Sequence, residues 1–265
     1  MKLGIIRGWQ EIDFAYAAAK NLSFLEFTVN HNIKADDFVA QTDKILTYME
    51  KYGVAVGSMG RWGEKRILPD GTVCEEALAS DLKLIDAAAK LSCPVYNVGV
   101  NYADEKTMDE NIEIAVSYLS KLAARAKEVG VKLAVYNCDW ANFIHSPDTW
   151  EKVFPRVESL GIKYDPSHTM GRHNDYFAEL RDYGDKVYHF HIKGVIQIDG
   201  KTYDHPPAGL DQINWGAVLD MLYTKHYNGG LSIEPHSSYW RGQRGEWAID
   251  YTIRHITPML MPFEA

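Results

Sequence analysis

The sequence predicts a single (β/α)8 TIM barrel spanning residues 1–265, and three observations predict it. Short apolar runs alternate with stretches of helical periodicity eight times along the chain. Each run is unsplit, as parallel strands buried on both faces require. Three chemically active residues, Asp165, His191 and Glu234, fall where the last three runs break into polar loops, the end at which barrels build their sites. A doubly wound sheet would also alternate, but a GxGxxG phosphate turn is missing after the first run.

Leu3 to Ile6 form the first run, and Glu11 to Lys20 follow with Ile12, Tyr16 and Ala19 at helical spacing. Phe24 to Val29 are the second strand. Asp36 to Lys51 then read as one helix, with Phe38, Ile45, Leu46 and Met49 on a common face and Gly53 at its end. The third strand is Val54 to Ser58. Cys74 to Leu91 carry Leu78, Leu82, Ile85 and Ala89 at spacings of three and four, and Pro94 resets the chain for Val95 to Val100. Met108 to Val129 are a long helix closed by Gly130. Lys132 to Tyr136 are the fifth strand, and Ser146-Pro147 open a helix with a serine cap and a first-turn proline. Ile162 to Asp165 form the sixth strand, Asp175 to Tyr183 a polar helix, and Val187 to Lys193 the seventh strand. The loop from Gly194 to Asn214 is long enough to suggest function. Trp215 to Thr224, Leu231 to Glu234 and Trp247 to Ile256 complete the alternation.

Composition narrows the function. A chain of 265 residues, 46% hydrophobic, can bury a large core, and no linker or charge block divides it. A net charge of −8 argues against nucleic acid, whose binding needs a basic surface. Cys74, Cys93 and Cys138 are odd in number and lack CxxC spacing, which fits a reducing, cytoplasmic setting. The first residues are too soon charged for a signal peptide, and no apolar run spans a bilayer. The expected partner is a small molecule, with no membrane; self-association into a homo-oligomer is compatible with the composition.

Neighbouring strands lie about 5 Å apart, so Asp165, His191 and Glu234 can converge on one ion. An imidazole and two carboxylates suit divalent Mn, Co, Mg or Zn. Each residue also has a plain reading: Asp165 as a helix cap, His191 as an interior histidine, Lys193 as the partner of Asp165 or Asp211, and His189, one layer deeper, as a hydrogen-bonded interior ring. Glu234 is the hardest to explain structurally, because a carboxylate ending an apolar barrel strand is costly unless paired or on a metal.

Asp165-Pro166-Ser167-His168, His189-x-His191-x-Lys193 and the run from Gly209 to Trp215 followed by Gly230-Leu231-Ser232-Ile233-Glu234-Pro235 resemble the xylose-isomerase-like sugar phosphate isomerase/epimerase barrels, the AP endonuclease 2 superfamily. The resemblance covers nearly the whole chain. It implies a metal held at the ends of strands five to eight by Glu, Asp, His and Glu, the last three matched by Asp165, His191 and Glu234. The first is not matched: where relatives resemble Leu-Ala-Leu-Glu-Asn, this chain has Leu133-Ala134-Val135-Tyr136-Asn137. A neutral phenol supplies neither the charge nor the basicity of a carboxylate. Three outcomes stay open: metal on three protein ligands, a substitute among Asn137, Cys138, Asp139 and His145, or no metal.

The resemblance implies enediolate-type proton transfer on a monosaccharide, sugar phosphate or keto-sugar, with a metal as Lewis acid. With Tyr136 in place of one glutamate, a single-base isomerisation or a lyase reaction on a 3-keto-glycoside is favoured over two-base epimerisation; a sugar-binding barrel without catalysis is the reading of another class. Glu234 is the expected base or ligand, His168 the second acid–base group, Lys193 a polarising cation and Tyr136 a proton or hydrogen-bond donor. Trp9, Trp62 and Trp140 are candidate platforms for a sugar ring, and Arg61 and Arg241 candidate anion contacts, together with Arg66, Arg244, Tyr239 and Trp240.

Overall fold

The computed structural model describes residues 1–262; residues 263–265 of the predicted domain lie outside the described residues. Eight parallel strands close into a barrel. They are β1 (Lys2–Ile6), β2 (Phe24–Thr28), β3 (Ala55–Gly60), β4 (Val95–Val98), β5 (Lys132–Tyr136), β6 (Leu160–Tyr164), β7 (Val187–Ile192) and β10 (Gly230–Ile233). Closure is made by β1 against β10, with Leu3 beside Leu231 and Ile5 beside Ile233. The chain is therefore a single-domain (β/α)8 barrel, as its pattern predicts.

The surrounding helices are α1 (Glu11–Ala19), α2 (Ala35–Val39), α3 (Thr42–Tyr52), α4 (Glu75–Lys90), α5 (Met108–Glu128), α6 (Pro147–Val153), α7 (Pro166–Gly171), α8 (Tyr176–Tyr183), α9 (Trp215–Thr224) and α10 (Gln243–Ile256). In α5, Ile112, Ala115, Leu119, Leu122 and Ala126 are buried at spacings of three and four, and Thr107 and Glu110 form a capping box at its start. Among the described residues no helix is long and apolar enough to cross a membrane.

Two expectations need correction. The helix expected over Asp36 to Lys51 is two helices, α2 and α3, and at the break the Val39 carbonyl accepts from the Thr42 hydroxyl at 2.8 Å. The long loop after β7 contains a hairpin, β8 (Ile196–Ile198) with antiparallel β9 (Lys201–Asp204). Its turn is Asp199-Gly200, both at positive φ (50° and 73°), which is the residue pair that tight hairpins select.

The barrel interior is layered. At its floor the Phe24 ring fills the axis, and a Cβ on Gly4 or Gly57 would collide with that ring, so these two strands approach it only as glycine. Above it the layer turns polar, with Glu26, Ser58, Asn97, His189 and Ser232 all fully buried. Asn97 Nδ2 donates to Ser58 Oγ at 2.6 Å. The candidate site rests on this layer.

Candidate functional site

Alternation along β7 directs His189 and His191 inward at successive levels. Glu26, from the middle of β2, meets both: its Oε2 is 2.6 Å from His189 Nε2, and both oxygens are 3.0 Å from His191 Nε2. His189 Nε2 is also 2.8 Å from Ser232 Oγ, which makes it the interior hydrogen-bonded ring that the sequence suggests. The other face of His191 is turned outward, its Nδ1 2.8 Å from Glu234 Oε2. Burial works against a charged His191, but the Glu26 carboxylate beside it holds its pKa above the usual value; burial prevails at His189 and pushes that ring down. Burial would raise Glu26, yet the two imidazoles hold it well below the usual carboxylate range.

Asp165 follows β6 and serves two purposes. Its Oδ1 accepts from the Ser167 amide at 2.9 Å, capping α7, while Oδ2 is fully buried, makes no hydrogen bond among the described residues and lies 2.9 Å from Lys193 Nζ. Lys193 Nζ is also 2.9 Å from His168 Nε2 and 3.5 Å from Glu234 Oε2. The plain pairing of Lys193 with Asp165 and its place in the site are thus the same contact. Burial and the Lys193 ammonium together push His168 well below its usual pKa, leaving a neutral ring. Burial would raise Glu234 and Asp165, but Lys193 holds both carboxyls low.

These groups open into a cavity of about 710 Å³, lined by His168, His191, Lys193 and Glu234 at its base. That size suits a small molecule. Trp62, Trp140 and Arg241 also line it, as do Trp240 and Lys163. Trp9 and Arg61 do not. The Trp9 ring packs edge-on against Phe27 and Phe38 at 6.0 and 5.1 Å. Arg61 is held by the carbonyls of Val29, Asn30 and Ile33 and by Glu64, so it organises loops. Arg66 is sealed against Asp81, and Arg244 lies over the Tyr239 ring.

Tyr136 stands beneath the cavity wall. Its ring stacks on Trp62 at 5.3 Å, and its hydroxyl donates to the Trp140 carbonyl at 3.1 Å. Of the substitutes considered for the missing carboxylate, Asn137 is committed to the Asp165 backbone, donating to its carbonyl and accepting from its amide, both at 2.9 Å. Cys138 and Asp139 line the cavity, with burial pushing the Cys138 thiol up. His145 is partly buried, and burial pushes its pKa down.

Asp165, His191 and Glu234 each offer a ligand atom, all within 4.8 Å of one another. A buried carboxylate oxygen without a hydrogen bond, an imidazole anchored from behind by a carboxylate and a second carboxylate make a donor set that fits a divalent ion. The second cluster, Glu26, His189 and His191, is closed on itself and supports the first. Sequence reasoning missed Glu26 and Lys163, although each is a charged residue inside an apolar strand, the same signal that singles out Glu234.

Over 97% of this chain and 99% of the other, the protein superposes on 3-keto-D-glucoside 4-epimerase from E. coli with a TM-score of 0.73 at 13% identity. It resembles D-psicose 3-epimerase of Clostridium cellulolyticum H10 with a TM-score of 0.72 and 15% identity over 97% and 99% of the two chains. For D-allulose 3-epimerase of Methylomonas sp. in complex with D-allulose the values are 0.77 and 14%, over 98% and 97%. No protein of curated function matches the chain by sequence. At such identities these likenesses speak to the fold, and the fold is one that sugar epimerases use. Residues 14–256 match the family pattern itself, and the chain belongs to the xylose isomerase-like TIM barrel family.

Proposed function

We propose that the chain is a sugar isomerase or epimerase that moves a proton at the carbon beside a carbonyl of a monosaccharide or keto-sugar. The observation that carries this reading is the meeting of Asp165, His191 and Glu234 within 4.8 Å at the base of a small-molecule cavity. The structural neighbours named as sugar epimerases support the reaction class, whereas elimination has no support among them.

Glu234 is the base. Its side chain is 19% exposed and its pKa is held low, so it meets a ligand as a carboxylate at neutral pH. Lys193 fixes His168 by donating to Nε2, which leaves Nδ1–H as the donor that orients a substrate hydroxyl. Trp62 and Trp140 present ring faces or edges to a sugar, and Arg241 faces the rim. Asp165, His191 and Glu234 would hold a divalent metal, which when bound supplies Lewis-acid polarisation of the carbonyl. Lys193 already touches two of these carboxylates, so part of the site's positive charge is built in.

The test is a panel of ketoses and 3-keto-glucosides incubated in D2O, with deuterium at the α-carbon read by NMR. Exchange by the wild-type protein and its loss in Glu234→Gln support the proposal. Sugar binding without exchange, whether or not Mn²⁺ is added, would instead make this a binding barrel.

A further inference from the structure

We propose that Lys163 is a further catalytic residue, the donor that meets the substrate oxygen on which negative charge develops. The inference rests on the proton-transfer reading above and adds a group to it. Four lysines and arginines are buried among the described residues: Arg61, Arg66, Lys163 and Lys193. Three are matched, Arg61 by Glu64 and carbonyls, Arg66 by Asp81 and Lys193 by Asp165. Lys163 is 2% exposed, and among the described residues its side chain makes no ion pair and no hydrogen bond. Its charge helps hold the Asp165 carboxyl low, but no carboxylate or acceptor among the described residues touches the ammonium, so burial leaves it to meet whatever enters the cavity.

The cavity gives this charge its use. Lys163 lines it. On β6 it precedes Asp165 by two residues and so shares its inward face, and it sits in register between Tyr136 of β5 and His189 of β7. That level is the base of the site, whereas Trp140, 49% exposed, marks the rim. A distant phosphate would call for a cation at the rim. A cation at the base belongs beside the reacting carbons. When Glu234 takes the α-proton, the C–H electron pair forms the carbon–carbon double bond and the carbonyl π pair moves onto oxygen. The Lys163 ammonium donates a hydrogen bond to that oxygen, and return of the proton to carbon reverses each movement. No redox partner is needed. A donor already in place at the base of the cavity when charge develops is the arrangement that lowers such a barrier.

Lys163→Met, of similar length and without charge, tests the assignment. Deuterium exchange in D2O on the same sugar panel is expected to fall about 100-fold or more in kcat with KM little changed. The melting temperature is expected to rise by about 2 to 4 °C, because a buried ammonium that no carboxylate or hydrogen-bond acceptor among the described residues touches has been removed. A structural lysine would give the opposite pattern, a lower melting temperature and unchanged exchange per folded molecule, and that result overturns the proposal. So does a higher melting temperature with full exchange. If the wild-type protein exchanges no sugar of the panel, the proton-transfer reading fails on its own; the melting temperature then decides for Lys163, a rise supporting a cation kept for a ligand and a fall overturning it.

Discussion

Glu26 holds His191 from behind: both carboxylate oxygens lie 3.0 Å from Nε2, so Nδ1 is directed at Glu234 and the shared centre. A carboxylate behind a ligating imidazole fixes the ring's orientation and tautomer. Glu26→Gln keeps the shape but removes the charge that both histidines face. It is expected to weaken divalent-ion binding, read by calorimetry with Mn²⁺, by about 10- to 100-fold. It should also destabilise the fold by about 3 kcal/mol in urea unfolding, because a buried pair loses one charge. Unchanged Mn²⁺ affinity would remove Glu26 from the site.

The Arg66–Asp81 pair is an electrostatic commitment outside the site. Both side chains are fully buried, with Arg66 Nε 2.6 Å from Asp81 Oδ2, and Asp81 also accepts from the hydroxyls of Tyr96 and Tyr118 at 2.7 and 2.8 Å. Arg66→Met leaves that carboxylate uncompensated and is expected to cost about 3 to 5 kcal/mol in urea unfolding. Asp81→Asn added to it should recover part of the loss. A double variant less stable than the sum of the single changes would show that the charges do not compensate one another.

Cys93 gives a pH dependence set first by burial. Burial pushes its thiol up to about 12, and Sγ donates to the Val95 carbonyl at 3.4 Å. The unfolded thiol titrates near 8.5, so between these values the unfolded chain releases a proton that the folded chain keeps. The stabilising contribution is therefore complete below about pH 8.5 and is lost as pH rises through this window. Relative to Cys93→Ala, the wild-type protein should lose about 1.4 kcal/mol of unfolding free energy on going from pH 7.5 to 9.5. Parallel curves for the two proteins would contradict the buried-thiol account.

The barrel was readable because its signal is repeated: every strand is short and apolar, and helix faces such as Ile112, Ala115 and Leu119 keep their period. The split between α2 and α3 was not, because the apolar spacing of Phe38, Ile45, Leu46 and Met49 runs on through it. The hairpin at Asp199-Gly200 carried a turn signal that the flanking polar residues hid. At the site, Asp165, His191 and Glu234 were legible as polar residues at strand ends. Glu26 and Lys163 lie within strands, where a lone charge is easily taken for a solvent-facing position, and only the closed barrel turns both inward. Trp9 and Arg61 show the converse: a loop position brings a residue near the mouth, but the Phe27–Phe38 packing and the carbonyls of Val29, Asn30 and Ile33 claim these two side chains first.

Tyr136 tests how far this centre departs from a site with four charged or imidazole ligands. Its Cα is in register with Lys163, on the strand next to the one that leads into Asp165. Tyr136→Glu introduces a carboxylate at the position in register with Lys163, one strand away from the strand that leads into Asp165. Loss of the Trp62 stack and of the hydroxyl's bond to the Trp140 carbonyl works against the variant, at a cost of about 3 kcal/mol in the absence of ions. Added charge works for it when a cation is present, since ligand charge raises affinity for divalent ions. The expected outcome is a lower melting temperature without metal, a larger upward shift on adding Mn²⁺ than the wild-type protein shows, and Mn²⁺ affinity raised at least about 10-fold, equivalent to about 1.4 kcal/mol. Equal Mn²⁺ responses would mean that the fifth strand lies too far from the cluster to contribute a ligand, so that the three-donor arrangement is set by geometry and the tyrosine is there to carry Trp62.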